Sequence, residues 1–202
     1  MSIERRVRLV ETLFERLDQE IAVFQTETQL HCQTGCGKCC TKPTIEASPL
    51  EFFPWAFQLF LNDEAEKMLT LLHAKTTSIC QIYMPFSLVE NTKGSCGNYA
   101  FRGLICRLFG YAASKDKLGK LQLATCKIIK ENQSENYSSA EIAIAKGLPI
   151  PVFTDYYMQL SQIDYQLGTM MLPINKALIY AIEEVLQYYA YRPFVDGVKK
   201  IA

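Results

Sequence analysis

A chain of 202 residues, 49% hydrophobic and 21% charged, is long enough to bury a core and too apolar to remain disordered. Lys plus Arg number 21, as do Asp plus Glu, so no global positive field exists to draw nucleic acid or anionic lipid. The segment Met1-Ser2-Ile3-Glu4-Arg5-Arg6 carries charge where a signal peptide needs an apolar run, and no later stretch approaches the ~18 apolar residues of a membrane span. A cytoplasmic protein with neither membrane nor nucleic-acid partners is expected. In that reducing compartment, eight cysteines point to metal binding or redox chemistry rather than to disulfides.

In chain order, Ile3, Val7, Val10, Phe14, Leu17, Ile21 and Phe24 recur at steps of four and three, which predicts one long helix over 1–29 with an apolar stripe. That stripe serves packing within the chain's own domain or a seam between subunits. Leu9, Leu13 and Val23 broaden it beyond a narrow seam and favour the first. A loop rich in Gly, Thr and Cys follows over 30–44. Ser48-Pro49-Leu50-Glu51 is a capping box with proline at the first helical position, opening a helix through Trp55 to Leu61. Asn62, with Asp63 and Glu64, is expected to start another helix running to Ala74, in which His73 faces the C-terminal end of the dipole.

Residues 76–104 are punctuated by Pro85, Gly94, Gly97 and Gly103 and read as irregular. Segments 106–113 and 121–129 are expected to pair as a small hairpin across the turn 114–120, tightest at Gly119. Ser138 with Glu141 forms a second capping box ahead of a helix over 140–146 that Gly147 stops. Helical spacing continues over 152–167 and 174–189. The tyrosines at 156, 157, 188, 189 and 191 read as core or interface packing rather than a stacking platform.

The chemistry concentrates in cysteine. Cys32-x3-Cys36-x2-Cys39-Cys40 places four thiols in one loop, and Cys96, Cys106 and Cys126 follow. A tetrahedral zinc ion or a cubane iron–sulfur cluster needs about four thiolates, and close spacing lets one loop supply several. Gly35 and Gly37 suit positive φ, and Lys38, Lys42, Arg102 and Arg107 would offset thiolate charge if they fold nearby. Adjacent Cys39 and Cys40 seldom aim both sulfurs at one centre. Seven thiolates match two tetrahedral ions that share one bridging ligand. His31, beside Cys32, reads as a solvated loop residue more often than as a ligand.

Gly35-Cys36-Gly37-Lys38-Cys39-Cys40, followed by Glu51 near a helix start, resembles the CxxCxxCC (YkgJ-type) cysteine-cluster family, associated with chelation of zinc or iron. Its further elements have counterparts in Met84-Pro85-Phe86-Ser87, Cys96-Gly97-Asn98-Tyr99, Arg102-Gly103-Leu104-Ile105-Cys106-Arg107 and Cys126, so the resemblance covers roughly 30–130. It implies metal ligation by Cys32, Cys36, Cys39, Cys40, Cys96, Cys106 and Cys126. Three positions depart from the family pattern. Met84 replaces a cysteine, Gly103 replaces a proline, and Lys127 follows Cys126 in place of Pro-Gly. Cys80, four residues before Met84, is either a substitute ligand or a buried apolar side chain.

Cys32-x3-Cys36-x2-Cys39 also has the spacing of radical S-adenosylmethionine enzymes, and Cys36-Gly-Lys-Cys39 that of a dithiol redox motif. The chain lacks the alternating β/α pattern either fold requires. The expectation is a mainly α single domain, with an irregular cysteine-rich metal-binding module over 30–130 and a helical region over 138–202. It holds zinc or an iron–sulfur cluster, either with a redox role, as in an iron–sulfur oxidoreductase, or as a staple presenting an interaction surface.

Overall fold

Helix α1 (Ile3–Thr28) begins where the Ser2 hydroxyl accepts a hydrogen bond from the Arg5 amide (3.3 Å) and ends at Gln29 in the left-handed region. In this computed structural model, which describes residues 1–86 and 93–192, its buried stripe is Ile3, Val7, Val10, Leu13, Phe14, Leu17, Ile21 and Phe24. The stripe is covered by the chain's own helices. Leu9 and Val23 are exposed, so only Leu13 widens it.

The chain then passes through the cysteine loop to β1 (Glu46–Ala47) and the capping box, where the Ser48 amide donates to Glu51 Oε1 (2.8 Å). The box opens one 3-10 turn, Pro49–Phe52, before α2 (Phe53–Leu61). Asn62 closes α2 rather than starting the next helix. Asp63 turns the chain through the left-handed region, and α3 (Ala65–Ala74) starts after Glu64. The expected N-cap was thus displaced by two residues, because the reversal itself occupies Asn62 and Asp63.

Two short strands, β2 (Tyr83–Pro85) and β3 (Gly94–Cys96), pair antiparallel inside the segment read as irregular. A 3-10 turn, Tyr99–Phe101, leads to α4 (Leu104–Leu108). The expected hairpin is shorter at both ends. Strand β4 (Ala112–Lys115) pairs with β5 (Leu121–Ala124), while Cys106 sits in α4 and Cys126 caps α5 (Lys127–Asn132). Alternation could not separate these one-turn helices from strand, since apolar runs of this length suit both.

Helix α6 (Ser134–Ala145) starts well before Ser138, whose hydroxyl bonds back to the Ser134 carbonyl (2.9 Å). Glu141 instead accepts from the Leu123 amide (3.1 Å), so that pair is not a capping box. The stretch 152–167 breaks into α7 (Phe153–Ile163) and α8 (Tyr165–Thr169), because Asp164 leaves the helix and caps the second piece through the Leu167 amide (3.1 Å). Strand β6 (Leu172–Pro173) precedes α9 (Ile174–Ala190). Ser87 and residues 193–202 lie outside the described residues.

The architecture is mainly α. Helix α2 is sandwiched between α1 and α9, where Phe52, Phe53, Leu178 and Ile182 are almost wholly buried. Burying a side chain of this size stabilises by about 1.5–3 kcal/mol. Tyr189 stacks on Phe60 at 4.5 Å and Tyr156 is buried, in keeping with the packing role read for those tyrosines; Tyr191 is exposed. Pairing of β1 with β6 (Glu46 with Pro173, Ala47 with Leu172) ties the exit of the cysteine loop to the start of α9.

Candidate metal centre

The cysteine loop is shaped by its glycines. Gly35 (φ 72°) and Gly37 (φ 59°) take the left-handed conformation, and a Cβ on Gly37 would lie 2.7 Å from the Tyr83 ring and 2.8 Å from the Gly94 carbonyl. The Gly94 amide donates to the Gly35 carbonyl (3.0 Å), so the loop lies directly on the β2–β3 hairpin. Cys96 ends β3 opposite Tyr83. Cys126 sits at the start of α5, where its Sγ accepts from the Ile129 amide (3.5 Å).

Two side-chain amides from the helical frame clamp the backbone beside cysteines. Gln133 binds both sides of His31, accepting from its N–H (3.0 Å) and donating to its carbonyl (2.6 Å), and the Cys32 amide donates to the Tyr111 hydroxyl (2.6 Å). Asn175 on α9 accepts from the Gln81 amide (2.9 Å) and donates to the Ile79 carbonyl (2.9 Å), fixing the chain on either side of Cys80. Cys106 is fixed through its helix. The buried Glu51 carboxylate accepts from the Ile105 amide (3.0 Å) with one oxygen and from the Ser48 amide and Tyr157 hydroxyl (3.1 Å) with the other. A Cβ at Gly103 would stand 2.9 Å from that carboxylate and 3.0 Å from the Phe52 ring, so a larger residue here would press on both.

All eight cysteines are free thiols. Partial cover first, then Cys39, Cys36 and Cys126, push the thiol of the exposed residue Cys32 up to about 11, against a pull downward from Arg102. Cys39 is raised by burial, Cys126 and Cys36. Burial, then Cys80, Cys39 and Cys96, push Cys40 up to about 12. Cys106 lies well above the ordinary thiol value through burial, with Cys80, Glu51, Cys40 and Cys96 adding to it. Burial also raises Cys80, against backbone hydrogen bonds from Ile82 and Tyr83 to its sulfur. Like groups gathered under cover resist ionisation unless a cation offsets their charge, and a metal entering this site must displace protons.

Among the described residues, no three His, Cys, Asp or Glu side chains are drawn up as a formed ion site. The donor set nevertheless fits a soft or borderline metal, because thiols are the ligands for zinc and iron–sulfur centres. Polar atoms bordering it also wait for a partner. Tyr83 Oη, against Gly94, Arg102 Nε, and Thr125 Oγ1, beside Cys126, are buried without a hydrogen bond. Arg102 stacks on Tyr99 at 3.8 Å and acts on both Cys32 and Cys40. Lys42 acts on Cys39.

Arg107 does not serve as an offsetting charge in the same way. It is buried over the Phe14 ring, pairs with Asp18 and donates to the Arg102 and Ala100 carbonyls, stapling the chain ahead of α4. His31 is exposed and held through its backbone; His73, in the last turn of α3, pairs with Glu183 at 3.8 Å. Gln133, Asn175 and Tyr157 are the positioning residues that the motif did not reveal. They lie far along the chain from the cysteines they hold, and no local pattern announces such contacts.

No curated protein and no solved structure matches the chain. Residues 31–127 match the model of the CxxCxxCC family, whose description reads "putative zinc- or iron-chelating domain". That span holds every cysteine of the chain, so it is the cysteine-bearing segment that is similar to the CxxCxxCC family.

Proposed function

We propose that this protein chelates zinc or iron through cysteine thiolates, with Cys32, Cys36, Cys39, Cys40, Cys96, Cys106 and Cys126 as ligands. The observation that carries the reading is that the cysteine loop lies on the hairpin that bears Cys96, the Gly94 amide donating to the Gly35 carbonyl (3.0 Å), within a span that matches a zinc- or iron-chelating domain. Thiols under cover resist ionisation, and their thiolate form becomes favourable once a cation offsets the charge. The bound centre supplies a fixed, positively charged node; this chain's residues supply its enclosure. Glu51, Gln133 and Asn175 hold the ligand-bearing backbone, and Arg102 offsets excess thiolate charge.

A second reading, electron transfer by an iron–sulfur cluster, is favoured by the solvent-facing position of Cys32. A partner would reach that edge without opening the fold. Anaerobic purification with elemental analysis and a visible spectrum separates the two. Stoichiometric zinc in a colourless protein supports a chelating staple and ends the electron-transfer reading. Iron with acid-labile sulfide and reversible bleaching establishes it. Protein that holds neither metal after anaerobic purification and reconstitution overturns chelation itself.

A further inference from the structure

We propose that the β4–β5 hairpin tip of one copy of this chain docks in the groove between α1 and the Tyr99–Phe101 turn of a second copy. Leu118 enters the groove, and Lys117 and Lys120 meet Glu11 and Glu15. The inference goes beyond metal chelation and does not depend on it.

The tip is built to present Leu118. One Asp116 carboxylate oxygen accepts from the Leu118 amide (2.8 Å) and from the Lys120 amide (2.9 Å). The Gly119 amide donates to the Asp116 carbonyl (3.0 Å), and the Asp116 amide donates to the Lys120 carbonyl (3.0 Å). Gly119 closes the turn in the left-handed region at φ 80°. These bonds fix the tip in advance, so little freedom is lost when it binds. Leu118 is 94% exposed, the highest value for a large apolar side chain among the described residues. Lys115 pairs with Asp155 (3.1 Å) and the Asp116 carboxylate is turned into the loop. Lys117 and Lys120 are left without an ionic partner among the described residues. The tip is an apolar knob between two free cations.

The groove has the complementary make-up. It holds about 230 Å³, with Phe14, Pro54 and Phe101 as apolar lining, and α1 brings Glu11, Glu15 and Asp18 to it. Asp18 is taken up by Arg107, whose other donors go to the Arg102 and Ala100 carbonyls. Glu11 and Glu15, one turn apart, pair with no cation among the described residues. Burial first, then Glu15, raise the Glu11 carboxyl, and no cation opposes them. The volume lies below the about 300–1,000 Å³ of small-molecule pockets, so it suits one inserted side chain rather than a cofactor. An apolar hollow beside two uncompensated carboxylates matches a leucine between two lysines in kind and in sign. Each copy carries both halves, so the contact is made twice in a closed pair or repeated along an open chain. One leucine and two ion pairs bury far less than the about 1,600 Å² of a standard interface, so a weak, salt-sensitive association is expected.

The test is sedimentation equilibrium of the full-length chain under reducing conditions, which remove disulfide-linked copies. At low salt the mean mass is expected to rise above 23.0 kDa with concentration, and to return to it in about 1 M salt, where the screening length is about 3 Å. Leu118→Ser, at a solvated position, is expected to weaken association about tenfold or more. The paired variants Lys117→Glu/Lys120→Glu and Glu11→Lys/Glu15→Lys are each expected to stay single. An equimolar mixture of the two is expected to associate, because every tip then meets a groove of opposite charge; misfolded variants would not recover. A chain that stays single at low salt, a Leu118→Ser variant that associates like wild type, or a mixture that does not recover each overturns the proposal. So does a single chain that instead sediments with phosphatidylserine vesicles through Leu118, which assigns the tip to a membrane surface.

Discussion

The helical frame and the cysteine module are stabilised by different means. Helices α1, α2 and α9 meet through apolar side chains at helical spacing, with Leu17, Phe24, Phe53, Leu178 and Ile182 almost fully buried. The module has strands of two to four residues, helices of five and six residues and glycine turns, and hangs from the frame by polar contacts from Glu51, Tyr111, Gln133 and Asn175. Apolar burial is non-directional and sums over many side chains, so the frame needs no ligand. The module's few bonds position its thiols but contribute only about 0.5–1.5 kcal/mol each, which leaves a large share of its order to the bound centre.

Metal removal is the largest expected perturbation. Stripping the centre with a chelator under reducing conditions should withdraw apparent folding energy on the order of 10 kcal/mol from the module. Hydrogen exchange should then show lost protection in 31–47 and 94–108, with α1, α2 and α9 still protected. Loss of protection in the frame as well would erase the distinction between the two regions. Leu178→Ala, which leaves a cavity between α2 and α9, should cost about 2–5 kcal/mol in urea unfolding yet leave the metal count per folded chain unchanged.

Gly103→Ala should act on both regions at once, because its Cβ would press on Glu51 and Phe52 where module and frame meet. A loss of about 1–3 kcal/mol is expected, with weaker metal retention in a competition with a chromophoric chelator. Glu51→Gln should cost a similar about 1–3 kcal/mol, since an amide cannot accept from Ser48, Ile105 and Tyr157 as the carboxylate does.

The smallest effect lies wholly in the frame. Burial acts to raise the Glu4 carboxyl, but hydrogen bonds from Tyr189 and Ser2 hold it below its ordinary 4.5. A carboxyl depressed in the folded state stabilises above its unfolded value, and that contribution is lost as pH falls through the folded one. Tyr189→Phe should therefore lower stability at neutral pH by less than about 1 kcal/mol, because the pair is open to solvent screening. The difference from wild type should vanish in strong acid, as followed by urea midpoints across pH.

The α1 stripe, the Ser48–Glu51 box, the Gly147 stop and the run of α9 were legible because each is a pattern within one or two turns of chain. The failures share a cause as well. Asn62 and Asp63 are used by a reversal, Asp164 interrupts an apolar periodicity that continues across it, and Ser138 lies inside a helix begun by Ser134. In each case a polar side chain had two local roles, and packing outside its neighbourhood selected one. Cys106 and Cys126 were placed in strands for a related reason: one-turn helices carry too few residues to display a period.

From the residues alone came the mainly helical character and the presence of a thiol-rich metal module, since periodicity and cysteine spacing are local properties. What holds the backbone around Cys80 and why position 103 is glycine were decided by the tertiary fold. Those facts depend on contacts such as Asn175 with Ile79 and Tyr157 with Glu51, which join segments far apart in the chain. A carboxylate or amide buried at such a distance is fixed by the geometry of the whole frame, and no spacing rule along the chain encodes it.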